Sequence, residues 1–249
     1  MNKIAIIGDL GLEMPDYLEN VKKIPVTTPF GPPDPIVYSG NYEGIEVIHL
    51  SRQMNRNKSN RLNINHIANL FAIKQQGCSH ILASATCRSL QEEICPGEII
   101  IPDQFIDMTT QWVSGLTDDQ NPVEAVYKPM HDPFSCELCD HLVEAAIVQG
   151  ITVHNKSIVL SINGPRYSSR AESNLYRGWG ADVINMFTAP EVILANELDI
   201  PYATLALCIA YDSWRVSEDD DDPGHIRPVI AQGREKVLRM ITYAIKKIE

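Results

Sequence analysis

The sequence predicts a three-layer α/β/α single domain spanning residues 1–249, with helices on both faces of one central β-sheet. Three observations predict it. Apolar runs of strand length alternate with segments of helical period along the chain. The 249 residues, 44% hydrophobic and 21% charged, suit one large domain with a sizeable core better than two small ones. No internal repeat or linker interrupts the alternation.

The elements follow in order. Lys3–Gly8 (KIAIIG) reads as a buried strand ending in Gly, and Ile45–Leu50 as a second strand. Asn65–Gln76 places Ile67, Leu70, Phe71 and Lys74 at helical spacing, and Gly77 stops it. Ser79–Thr86 (SHILASAT) and Glu98–Ile106 read as strands, and Phe134–Gln149 as an amphipathic helix ended by Gly150. Ser157–Ile162 is a strand, and Ser168–Trp179 a helix with Ser168 as its cap. Ala181–Met186 (strand), Pro190–Leu198 (helix), Tyr202–Ala210 (strand) and Ile226–Ile248 (helix) complete the chain. Two segments break the rhythm. Met108–Met130 is a long loop without period, and loops of that length usually serve function or move. Ser217–Gly224 (SEDDDDPG) reads as a solvated acidic loop.

The charge balance narrows the function. With 21 Lys+Arg against 32 Asp+Glu the formal net charge is −11, which argues against nonspecific nucleic-acid binding. No apolar run is long enough to span a membrane, and the first residues read as a strand rather than a signal peptide. The six cysteines are scattered, as expected of reduced thiols in a cytoplasmic protein. Cys136 and Cys139 form a CxxC on a helix with no second ligand pair, so no metal site is expected.

Four constellations carry candidate chemistry. Gly8-Asp9-Leu10-Gly11 follows a strand, where a Gly-rich turn either presents N–H groups to an anion or only reverses the chain. Ser51–Arg61 holds Arg52, Arg56, Lys58 and Arg61 and no acid, as in an anion site, a subunit contact or a basic surface loop. Ser84–Ser89 sits at a strand end, where open α/β sheets place ligands. The fourth joins NGPRYSSRAE (163–172), WGADVINM (179–186), FTAPE (187–191) and AYDSW (210–214).

Those stretches, with IIGDLG near the start and CRSLQEEICPGEIIIPDQFID (87–107) in the middle, resemble the trimeric purine nucleoside phosphorylase superfamily, in particular its methylthioadenosine-cleaving branch. The resemblance covers nearly the whole chain and implies a central mixed sheet. It also implies a reaction in which phosphate attacks C1′ of a purine nucleoside while the base departs. That reaction needs an anion cradle, a ribose clamp and a hydrogen-bond partner for the departing purine. No cofactor is implied; phosphate is the co-substrate.

The resemblance assigns residues as follows. Met186 matches the methionine packed on the sugar, and Thr86, next to Ala85, is the second ribose candidate. Tyr167 matches an aromatic near the purine, followed by Ser168. Asp212 matches the carboxylate facing the purine N6/N7 edge, where a protonated carboxyl helps the base leave; Ala210 replaces its companion aspartate. In the phosphate cradle Gly8 and Arg52 are kept, Gln53 replaces a histidine, and Arg88 replaces a small glycine. Leu10, Ala85 and Phe187 stand where the family has threonines. Each lost hydrogen bond to a charged group is worth about 1.5–3 kcal/mol, so losing three or four weakens phosphate binding by roughly 3–5 orders of magnitude unless compensated. At the 5′ end, His225 and Tyr127 are the candidate pocket residues, and Tyr127 takes the place of a histidine lent by a neighbouring subunit. The chain ends soon after its last helix, without the extension of longer relatives. The expected assembly is a homotrimer or a dimer of trimers, and the expected partner a small purine nucleoside. Two other readings of the lost phosphate ligands stay open. One is a nucleosidase using water, with Glu172 the nearest candidate base. The other is a non-catalytic nucleoside-binding paralogue.

Overall fold

A computed structural model describes residues 3–9, 11–33, 36–52, 64–110, 127–215 and 222–248. In chain order the elements are β1 (Lys3–Gly8), β2 (Glu19–Ile24), β3 (Val37–Tyr42), β4 (Ile45–Ser51), α1 (His66–Gln75), β5 (His80–Ser89), β6 (Ile99–Met108), α2 (Cys136–Gln149), β7 (Val153–Ile162), α3 (Arg170–Gly178), β8 (Val183–Asn185), α4 (Thr188–Glu197), β9 (Tyr202–Tyr211) and α5 (Pro223–Ile245).

The strands form one mixed sheet in the order β2-β3-β4-β1-β5-β8-β7-β6-β9, and β9 also pairs with β5. β1 lies between β4 and β5, parallel to both. A strand so placed is covered on both faces, which is why IAII is apolar throughout rather than alternating. Its side chains divide between two cores. Ile4 and Ile6 join Leu138 and Leu142 of α2 and Val237 and Met240 of α5. Ala5 and Ile7 join Leu70 and Ile73 of α1 and Val192 and Leu194 of α4. The three layers expected from the sequence are therefore present, one helix pair on each face.

The extra β5–β9 pairing closes β5, β8, β7, β6 and β9 into a ring. β5 pairs in parallel with β9 over most of its length, and Arg88 and Ser89 at its end also pair with β8. A register shift between Cys87 and Arg88 marks a bulge at that switch. A bulge turns successive side chains out of simple alternation, a common device beside ligand sites. Here it lies at the strand end that carries Thr86, Cys87 and Arg88.

Several boundaries differ from the sequence expectation. β2 and β3 are additional strands. β2 is exposed along almost its whole length and Lys-rich, so it has no apolar face to reveal it, and it is held by antiparallel pairing to β3. β3 and β4 form a hairpin turned by Glu43 and Gly44, both with positive φ. The cap of α3 is Ser169, not Ser168: Ser169 and Glu172 form a capping box, which leaves the Ser168 hydroxyl for another partner. α5 starts at Pro223 rather than Ile226, because the Asp222 side chain caps it and Pro223 occupies its first turn. Gly233 lets α5 approach β9, since a Cβ there would stand 2.3 Å from Leu207 Cδ2. Among the described residues no helix is long and apolar enough to cross a membrane.

Candidate active site

The ends of β5, β7, β8 and β9 converge on a cavity of about 190 Å³. Thr86, Cys87 and Arg88 come from β5, Ile162 from β7, Ile184 and Asn185 from β8 and Ile209 from β9. Tyr167 and Ser168 come from the turn before α3, Met186 and Phe187 from the β8–α4 connection, and Asp212 follows β9. Six residues named from the sequence thus meet in one place: Thr86, Arg88, Tyr167, Ser168, Met186 and Asp212.

Asp212 is the most constrained of them. Its N–H donates to Ser89 O at 2.9 Å, tying it to the end of β5. Trp214 stiffens the segment behind it, donating from Nε1 to Ser89 O at 2.9 Å and from its backbone N–H to Ser173 Oγ at 3.1 Å. The Ser168 hydroxyl donates to Asp212 Oδ2. Asp212 is 1% exposed, and its Oδ1 has no hydrogen bond among the described residues. A buried acceptor on a cavity wall without a partner costs free energy unless a ligand supplies one.

Asn185 is a site residue that the sequence reading did not single out. Its Oδ1 accepts from Ser161 Oγ at 3.1 Å and from the N–H groups of Phe187 and Thr188, each at 3.3 Å; its Nδ2 donates to Thr188 Oγ1 at 2.7 Å. It thereby shapes the turn that presents Met186. The signal was its place at a strand end in the VINM stretch, next to the methionine.

The predicted anion cradle is arranged differently from the expectation. Arg52 does not line the cavity: it is 1% exposed and fully paired. Its Nε lies 2.5 Å from Glu191 Oε1 and its second terminal nitrogen 2.9 Å from Oε2. The remaining nitrogen donates to Ser84 O at 2.8 Å and stands 3.5 Å from Asp9 Oδ2. Burial works to lower the Arg52 pKa, but Glu191 and then Asp9 outweigh it and hold it above the ordinary value. Burial likewise works to raise Glu191, and Arg52 outweighs it, leaving its pKa lowered. The Phe187 ring lies over the guanidinium, 5.1 Å from ring centroid to Cζ. Gly8 is required by the backbone, because a Cβ would stand 2.0 Å from Leu12 O; its own carbonyl accepts from Arg52 N–H at 2.8 Å. Both residues belong to a closed framework rather than to the cavity wall.

Arg88 reaches the cavity, but stacked on protein. Its Cζ lies 3.8 Å from the centroid of the Tyr167 ring, and it donates to Tyr211 O at 3.1 Å. Neither 5′-pocket candidate lines the cavity of this chain. Tyr127 is 94% exposed, and His225 lies in the first turn of α5, 3.0 Å from Asp222 Oδ2. Glu172 is committed to its helix cap and to a bidentate pair with Arg166 at 2.7 and 2.8 Å. Arg166, then the Ser169 N–H, hold its pKa down at about 2, and it does not line the cavity. Gln53, Leu10, Arg56, Lys58, Arg61 and the acidic run 218–221 lie outside the described residues.

Comparison with known proteins agrees with this architecture. Residues 3–246 match the phosphorylase superfamily. The S-methyl-5′-thioadenosine phosphorylase of Danio rerio is 38% identical over 248 residues, covering 99% of this chain and 89% of the relative. That of Anopheles gambiae is 39% identical over 247 residues, with the same coverage. Among solved structures, a methylthioadenosine phosphorylase from an Antarctic soil metagenomic library superposes with a TM-score of 0.92 at 33% identity, covering 99% of this chain and 86% of that one. A methylthioadenosine phosphorylase from Schistosoma mansoni in complex with adenine gives 0.90 at 30% identity, covering 99% and 92%. Matched along nearly all of its length in sequence and in fold, the chain belongs to the phosphorylase superfamily.

Proposed function

We propose that this protein is a pentosyltransferase that cleaves the N-glycosidic bond of a methylthioadenosine-like purine nucleoside by phosphorolysis, releasing the free purine and a ribose 1-phosphate derivative. The observation that carries the reading is the buried Asp212–Ser168 pair on the cavity wall, with one carboxyl oxygen that has no hydrogen bond among the described residues. As the glycosidic bond lengthens, negative charge collects on the purine and positive charge on the sugar. Asp212, sharing a proton with the purine as charge builds there, stabilises the departing base, while Ser168 holds the carboxyl in place. Met186 packs on the ribose, Thr86 meets its hydroxyls, and Tyr167 borders the base. The relatives named above support both the reaction class and the adenine-type base.

A second reading, cleavage that does not use phosphate, is favoured by one observation: Arg52 is already neutralised inside the protein. Purine release from methylthioadenosine, adenosine and inosine, followed with and without phosphate, separates the two. Phosphate-dependent release supports phosphorolysis, and phosphate-independent release supports a nucleosidase. Tight nucleoside binding without release points to a binding paralogue.

The setting we propose is purine salvage in the cytoplasm, with a homotrimer or a dimer of trimers as the working form. The exposed Tyr127 in the position of a lent residue supports such an assembly, in which it reaches a neighbour's 5′ pocket. Light scattering tests the assembly, and loss of activity in Tyr127→Ala without change of mass tests the lending.

A further inference from the structure

We propose that Asp9 is an internal anion seated on Arg52 where an oxyanion co-substrate would sit, so that it sets how strongly the protein binds phosphate. The inference rests on the reading above and concerns its second substrate.

The geometry around Asp9 is that of a bound oxyanion. One oxygen, Oδ2, accepts from the Thr86 N–H at 3.0 Å, lies 3.4 Å from Thr86 Oγ1 and stands 3.5 Å from an Arg52 nitrogen. A backbone N–H, a hydroxyl and a guanidinium converging on one oxygen form the donor set that holds a phosphate oxygen. The chain turn at Asp9 closes through its backbone, with Asp9 O accepting from Leu12 N–H at 2.7 Å. Thr86 connects the seat to the site, since it also lines the cavity.

Charge decides what such a seat accepts. Arg52 contributes one positive charge, and Asp9 and Glu191 one formal negative charge each. His66 lies 3.7 Å from Glu191, and burial holds its pKa down at about 4, so it adds no charge at neutral pH. The group therefore carries one net negative charge at low dielectric, where adding a phosphate dianion is strongly disfavoured. Removing the Asp9 charge leaves Arg52 balanced by Glu191 alone, and removing the whole side chain also frees the Thr86 donors.

The test measures inorganic phosphate binding to the full-length protein by titration calorimetry, alongside the phosphate dependence of purine release. The variants are Asp9→Asn, which keeps the shape, and Asp9→Gly, which empties the seat. Each is also made together with Phe187→Thr, because Phe187 covers Arg52 on its cavity side. The expected result is phosphate affinity raised about tenfold or more in the Asp9 variants. Phosphate affinity that is unchanged or weaker in the folded Asp9 variants, with Phe187→Thr present, overturns the proposal. The calorimetric readout does not require turnover. Tighter phosphate binding without purine release would uphold the role of Asp9 and count against the proposed reaction.

Discussion

The Ser168 hydroxyl donates to Asp212 Oδ2, linking the turn before α3 to the segment that follows β9. These two residues stand 44 apart in the chain, and each is tied by its neighbours to a different part of the ring of strands. Asp212→Asn keeps the shape but cannot supply a carboxyl proton to a departing purine. We expect kcat to fall by about 10²-fold or more, with a smaller change in nucleoside KM, as for loss of a general acid. Steady-state purine release checks this, and an unchanged kcat would remove Asp212 from the leaving-group role.

Arg88 covers a face of Tyr167, the residue proposed to border the purine. The guanidinium already lies 3.8 Å from the ring centroid, and cation–π contacts of this kind contribute about 0.5–2 kcal/mol. Arg88→Ala is therefore expected to lower the nucleoside KM severalfold. If Arg88 instead contacts the bound nucleoside, KM rises in the same assay.

Glu191 is the principal partner of a fully buried guanidinium and also accepts from Tyr202 Oη at 2.9 Å. Removing one member of a buried pair typically costs about 3–5 kcal/mol, because the other charge is left uncompensated. Glu191→Ala should lower the urea unfolding free energy by that order. Loss of less than about 1 kcal/mol, the range of a surface pair, would show that Arg52 finds other partners.

Acid should destabilise the fold from near pH 6.5 downwards. Burial is the main cause that lowers the pKa of His49 and of His66, each to about 4. The unfolded histidines bind protons near pH 6.5, so between pH 6.5 and 4 the unfolded state takes up more protons than the folded one. Stability is fully present above that window and is lost as pH falls through it. The lowered pKa of Glu191 adds a further loss at lower pH, below the unfolded carboxylate range. Urea midpoints measured between pH 7.5 and 5 should fall steadily, and His49→Gln with His66→Gln should flatten the slope. A flat profile for the unaltered protein would contradict the burial argument.

Gly8→Ala tests whether that glycine serves the turn. With Leu12 O only 2.0 Å from the position of a Cβ, the backbone must move, and Arg52 N–H loses its acceptor. A loss of stability of about 3 kcal/mol or more is expected in thermal unfolding. A stable variant would show that the turn has room.

The sequence by itself determined the alternation of strands and helices, because burial on both faces of β1 and β9 demands continuous apolar runs, whereas the α3 cap fell to Ser169 rather than Ser168 only in the structure. Together with the family resemblance of its motifs, it also named six of the residues that meet in the cavity, since they lie at strand ends within long, specific stretches. It could not show β2, whose charged side chains have no buried face and whose strand exists only through pairing with β3. Nor could it show the fate of its cations. Arg52 reads as a phosphate ligand until the fold brings Glu191 within reach, 139 residues later in the chain, and Asp9 beside it. Which charges neutralise one another depends on distances of a few ångströms between distant segments. Only the tertiary structure decided that the anion seat is filled from within, and that Arg88 lies against Tyr167 instead of standing free.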